Sequence, residues 1–372
     1  MPPLGLSAGV RRARELGRRT AGLILTSPRM VHPRAQYAAR PHDGILVLQR
    51  GENASTDYYL RGRLQAQSAP AVIVDTDSVP EACFLLGEGG AKALLVIVCR
   101  YASGSWLDAL EAAAAEGRLA RVAFFMDDDL PEMMRDATLP AAARGKVAAH
   151  YGGHVRRLEA LASEVWVSTP ALSERYAAIA PRLLTPAPEA DPPEIVRAVA
   201  PKVVYHGTDV HGRERKFVVE IARRLAVLDP SVLVEIVGDA ALRRACAGME
   251  NVSVVPQLPW PQHLERSRRE PAALSLAPLF PSPLNAARAP VKAFDAARLG
   301  AAGLYADVEP YRGFVRDGED GLLLPMRVEA WAESIVGLLA DPERRTALAE
   351  AARARLTGLR REAMAFPSAP EA

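Results

Sequence analysis

Four polar side chains in the stretch PLNAARAPVKAFDAARLGA, residues 283–301, have the types and spacing to hold an anion. Asn285, Arg288, Lys292 and Asp295 follow one another at steps of three, four and three. On a helix those steps put all four on one face, with Val291 and Phe294 turned inward. At a helix start the dipole and the two cations act in the same direction on a diphosphate. Asp295, one turn further, suits the hydroxyls of a sugar ring. A solvated surface helix could carry the same residues, so the neighbouring elements must decide.

Other polar groups follow apolar runs. YHGTDVHGRERK (205–216) offers Gly207 for a tight turn, Thr208 and the next helix start for an anion, and His206, His211, Arg213 and Lys216 as donors. Leu258, in PQLPW (256–260), could flank a flat base. RVAFFMDDDLP ends in Asp127, Asp128 and Asp129. Adjacent carboxylates repel, which can raise one pKa for base work, and Asp127 and Asp128 are the catalytic candidates. A helix cap with first-turn acids, or a metal site, reads from the same residues. QRGENASTDYY (49–59) gives Arg50, Ser55 and Thr56 as binding candidates at the end of the first strand, although Ser55 or Thr56 equally suits a plain cap. His150 and His154 sit four apart with no third ligand in view, so no metal is assigned.

The elements that position these residues are short apolar runs alternating with helix-like stretches. ILVLQR, AVIVDT, ALLVIVCR, RVAFFMD, EVWVST and RLLTP occupy the first half; KVVYHG, VLVEIVGD, VSVVPQ, AALSLAPL, AGLYAD and GLLLP occupy the second. Buried strands alternating with helices imply parallel sheets covered on both faces. Between the halves TPAPEADPPEIVRAVAPK (185–202) carries five prolines in eighteen residues and reads as a linker. The pattern predicts an α/β chain of two Rossmann-like, doubly wound domains facing across a cleft. The expected boundaries are a basic arm at 1–42, a first Rossmann-like domain at 43–186, a linker at 187–201, a second Rossmann-like domain at 202–345 and a helical tail at 346–372.

The chain of 372 residues, 49% apolar and 24% charged, has room for two cores. A net charge of +2 argues against nucleic acid as a partner. Residues 1–42 hold eight arginines and one acid, which leaves −5 on the rest. LSAGVRRARELGRRTAGLIL could form a basic amphipathic helix on an anionic membrane surface, or a basic arm without fixed structure. AGLIL is too short for a membrane span. Three scattered cysteines give no disulfide framework and fit a cytoplasmic protein, peripheral on the membrane if the arm binds it.

The second half resembles glycosyltransferases of the GT-B fold, specifically the glycosyl-transferase-4-like bacterial enzymes that use nucleotide sugars. The resemblance lies in VVYHGT, then VEIVGD, then SLAPL and PSPLNAARAPVKAFDAARLGAAGLYADVEPYRGFVRDGEDGLLLP, over about 200–345. VWVSTPAL and MDDDL carry it in the first half. It implies that the donor lies on the C-terminal domain and the acceptor on the N-terminal one, that a basic pair holds the diphosphate, and that Asp295 contacts the ribose. Ala287 stands where the family has another acid, with Asn285 or Arg288 as substitutes. The expected activity is transfer of a sugar from a nucleotide-diphosphate sugar to a glycan or lipid-linked acceptor hydroxyl, in cell-envelope polysaccharide synthesis, without metal or cofactor. A binding or scaffold protein on a degenerate GT-B fold, and a nucleotide-sugar epimerase, are the alternatives.

Overall fold

The computed structural model describes residues 28–87, 89–187, 202–207 and 212–368. All twelve apolar runs are strands, in two sheets of six with every pairing parallel.

The first sheet has the order β2-β1-β3-β4-β5-β6, from β1 (Gly44–Gln49), β2 (Ala71–Asp75), β3 (Leu94–Cys99), β4 (Leu119–Met126), β5 (Glu164–Val167) and β6 (Arg182–Leu183). β1 and β3 are buried along their whole length, whereas the edge strand β2 is half-exposed. Continuous apolar runs are what a strand covered on both faces needs. The second sheet has the order β12-β11-β10-β7-β8-β9, from β7 (Lys202–Tyr205), β8 (Leu233–Val237), β9 (Val252–Val255), β10 (Leu274–Ala277), β11 (Ala302–Ala306) and β12 (Leu322–Leu324).

Among the helices, α1 runs through Ala54–Thr56, Asp57–Arg61 and Gly62–Gln65, its middle turn in π geometry. In the first half come α2 (Gly104–Ala115), α3 (Leu130–Arg135), α4 (Val155–Leu161) and α5 (Pro170–Arg175). The second half adds α6 (Gly212–Leu228), α7 (Trp260–Arg269), α8 (Pro283–Ala286), α9 (Val291–Arg298), α10 (Val328–Ala340) and α11 (Pro342–Glu362). α6 buries Val218, Val219, Ile221, Ala222 and Leu225 at helical spacing, and α10 packs on it with Trp331 fully buried against Phe217. Among the described residues no helix is long and apolar enough to cross a membrane.

The chain divides into two compact units at points other than the predicted boundaries. Among the described residues one unit comprises 28–51, those of 68–183 and 368; the other comprises 52–67 and those of 184–367. Residues 28–42 are therefore not a separate arm. Val31 is fully buried, Arg29 pairs with Glu159 at 2.6 Å, Tyr37 donates to the Leu161 carbonyl at 2.6 Å, and Arg40 donates to that of Gly117. Residues 1–27 and 188–201, the rest of the arm and most of the linker, lie outside the described residues. The predicted tail is no separate element either, because α11 begins before 346 and packs on α9 and β11.

Arg63 is one of the residues that tie α1 to the second unit. This arginine is 2% exposed, and burial brings its pKa down to about 10. It donates to the Tyr59 carbonyl, to the Ala365 carbonyl at 3.0 Å and to Thr185 Oγ1 at 3.2 Å. Arg63→Ala removes a buried cation together with its bonds to one buried acceptor, the Tyr59 carbonyl, and to the exposed Thr185 and Ala365. It is expected to cost about 2–4 kcal/mol, read as a lower denaturant midpoint. An unchanged midpoint would mean that Arg63 fills space without tying these segments together.

Candidate functional site

Open parallel sheets bind ligands beyond the carboxyl ends of their strands, where the strand order reverses. In the second sheet that point lies between β7 and β10. β7 runs into His206 and Gly207. A Cβ at 207 would fall 2.3 Å from the hydroxyl of Tyr205, itself buried, so the position is confined to glycine.

The dominant group beside this strand end is Asp295 on α9, only 4% exposed. It accepts from Tyr58 Oη at 2.6 Å, Lys292 Nζ at 3.0 Å and Arg298 Nη2 at 2.7 Å. Burial alone would raise its pKa. The charges of Lys292 and Arg298 outweigh that and hold it well below the usual carboxylate range. Lys292 Nζ also donates to the His206 carbonyl at 2.5 Å, which brings the ammonium to the end of β7. His206 Nε2 lies 3.0 Å from Glu235, which Arg266 also meets at 2.7 Å. Around these groups stand aromatic rings. Arg298 lies over Tyr58 and Trp260 at 5.2 and 5.0 Å, and His263 meets the rings of His206 and Trp260 at 5.3 and 5.4 Å.

The expected single helix face is not formed. Residues 283–298 make two short helices, α8 and α9, with a break over 287–290. Pro290 lacks an N–H and disfavours helical backbone at the residue before it, so the chain cannot continue across. Asn285 is turned back, its Nδ2 donating to the Phe280 carbonyl at 2.8 Å. Arg288 is half-buried, and its charge acts on Tyr205 and Tyr311. Ala287 is fully buried. Asp295, expected to meet a sugar hydroxyl, has three internal partners and anchors the cations. Gly207 is at the switch point, and Leu258 sits half-buried in the loop after β9. Thr208 and His211 lie outside the described residues.

In the first unit two cations serve the three aspartates: Asp127 and Asp128 share Arg100, and Asp129 meets Arg175. Arg100 grips Asp127 through two nitrogens and meets Asp128 at 3.2 Å. Burial would lower the Arg100 pKa, but these two acids raise it well above the usual value. Asp127, one of the two catalytic candidates, is 2% exposed and held by two charge-assisted bonds from Arg100. Asp129 caps α3 through the Glu132 N–H at 3.0 Å and also takes Tyr176 Oη at 2.6 Å and Arg175. Ser55 and Thr56 are not caps, since Asn53 caps α1 and both lie buried inside it. Arg50 follows β1 and pairs with Asp77 at 3.6 Å. His150 and His154 do not share a helix, because the chain turns between the π stretch Ala148–Gly152 and α4. Among the described residues no group of three or more potential ligands is placed to hold a metal.

No family model and no curated protein matches the sequence. Solved structures do match the fold. Sucrose-phosphate synthase from Thermosynechococcus elongatus is similar over 85% of this chain and 94% of its own, with a TM-score of 0.54 and 16% identity. The chain has the GT-B fold. TarM is similar over 71% of this chain, with a TM-score of 0.50 and 14% identity. The chain spans 51% of TarM, about half its length.

Within this GT-B chain, Tyr58, Trp260 and His263 were missed as members of the Asp295 cluster. Nothing in sequence announces that Tyr58 meets a residue 237 positions away. His263 gives the cluster a testable acid response. Burial, with the charges of His206, Arg298 and Lys292, outweighs the opposing charge of Asp295 and lowers its pKa to about 4. The unfolded chain, with a histidine pKa near ~6.5, takes up the proton first as pH falls. Stability is therefore complete above that value, declines toward about pH 4, and then levels off for this group. In His263→Phe the melting temperature should fall less steeply over this window than in the wild type. An equal slope in both would assign the response to other groups.

Proposed function

We propose that the protein transfers a sugar from a nucleotide-diphosphate sugar to a hydroxyl of a glycan or lipid-linked acceptor. The observation that carries this is the Lys292 ammonium at the end of β7, beside Gly207 and at the switch point of the second sheet. Lys292, Arg298 and Asp295 together leave one net positive charge there. Arg288 and Lys292 would stabilise the leaving diphosphate electrostatically, with no divalent ion required. Asp128, the more accessible of the acids at Arg100, is the carboxylate we assign to the acceptor side. Cell-envelope glycan synthesis at the inner face of the cytoplasmic membrane fits the basic residues 1–27, although Arg29 and Arg40 have partners in the first unit.

A binding protein is the second reading. The internal pairing of Asp295 favours it, because the network could persist for stability alone.

Isothermal titration with UDP, GDP and ADP separates the first reading from a protein that binds none. Lys292→Ala should weaken the preferred nucleotide by about 1.5–3 kcal/mol, the worth of a charge-assisted bond. Unchanged affinity would remove Lys292 from the site. Binding without turnover of any matching nucleotide sugar would favour the second reading. Activity should survive EDTA, and loss restored by manganese would overturn the metal-free mechanism.

A further inference from the structure

The first sheet has its own switch point, between β1 and β3. An arginine follows each strand there, Arg50 after β1 and Arg100 after β3. Their surroundings differ. Arg100 is committed to Asp127 and Asp128. Arg50 meets Asp77 at 3.6 Å, an acid 67% exposed, and its Nη1 is buried with no hydrogen-bond partner among the described residues. At the same strand end Gln49 is 5% exposed, and its Oε1 is likewise buried and without a partner; as an acceptor it suits a hydroxyl of the same ligand and not the anion. Buried polar atoms left unsatisfied are costly, and native structures retain them mainly where something else completes the bond.

The neighbours of Arg50 suit an anion. His150 feels the charges of Arg50, Lys146 and His154, opposed by Asp77. Its ring meets Tyr101 at 6.1 Å, and Tyr101 follows Arg100 directly. Asp127 and Asp128, the other acids near Arg100, are both paired with it. Two local distortions mark the same place. Arg100 has φ 64°, a left-handed backbone that a side chain pays to adopt, and His150 sits in a π-helical turn.

We propose that the crevice at the ends of β1 and β3 binds an oxyanion, a carboxylate or a phosphate, carried by the acceptor, with Arg50 as its anchor. The planar guanidinium fork matches either group. That the anion belongs to an acceptor rests on the transferase reading; that it binds here does not.

The test uses the full chain and three probes, glucose 6-phosphate, glucuronate and glucose, titrated by calorimetry. One charged sugar should bind at least tenfold more tightly than glucose, and which one does so identifies the oxyanion. In Arg50→Gln the preference should shrink to within threefold, with the affinity for UDP or another bound nucleotide unchanged. Equal binding of all three sugars by the wild type, or a preference kept in Arg50→Gln, would overturn the proposal. NMR supplies an independent readout, since a bound anion favours the protonated imidazole. The His150 pKa should rise when the preferred sugar saturates the wild type, and an unmoved pKa would overturn the placement beside His150. An anion preference with no nucleotide bound would count against the transferase reading alone.

Discussion

Asp295 is a buried carboxylate, and the residues around it are arranged to neutralise it. Removing such a charge from water costs several kcal/mol unless geometry returns it. Three donors do so, each from a definite place. Lys292 and Arg298 lie three residues either side on α9, and Tyr58 comes from α1. The requirement spreads outward. Arg298 must lie where its Nε also reaches Ser267 of α7 at 3.1 Å, and its flat face covers Tyr58 and Trp260. Lys292 must lie where it reaches the His206 carbonyl. One acid therefore fixes α1, α7, α9 and the end of β7 together.

This explains why residues 52–67 group with the second unit although they follow directly from β1. Tyr58 supplies a hydroxyl to Asp295 and a ring edge to Phe294 at 5.0 Å. The adjacent Asp57 takes the Trp260 indole N–H and pairs with Arg61 at 2.6 Å. Arg63 then ties the same helix to Thr185 and Ala365. Successive turns of α1 thus meet polar partners from three parts of the second unit. Apolar packing alone would hold such a helix less specifically.

The strands were legible because each is a local run of apolar residues bounded by polar or glycine positions, and GILVLQ or LLVIVC can scarcely be anything else in a parallel sheet. Strand order was not legible, since pairing depends on neighbours far away in sequence. The break at Pro290 was legible but overridden by the attraction of the 285, 288, 292, 295 spacing. The i, i+3 pairs around Asp295 could be read from sequence; the contact to Tyr58 could not. Residues 28–42 show no periodicity, and their arginines dominated the reading, yet Met30 and Val31 are the residues that bury. The pairing of Arg100 with two aspartates was hidden because it needs a left-handed residue at the end of β3, and arginine gives no sign of adopting one.

The two switch points hold their cations in different ways, and the difference bears on what each can do. Lys292 is satisfied before any ligand arrives. Among the described residues it uses two of its three N–H groups, on the His206 carbonyl and on Asp295. A third can turn to an incoming oxygen without breaking either bond. The ammonium is preorganised, and little side-chain entropy remains to be lost on binding. Arg50 is held by one long, exposed pair, and its buried Nη1 lacks an acceptor. It can give up the bond to Asp77 at small cost, because exposed pairs contribute little. A preorganised cation suits a group that recurs in every substrate, such as a diphosphate. A loosely held one suits a group whose position varies with the rest of the molecule that carries it.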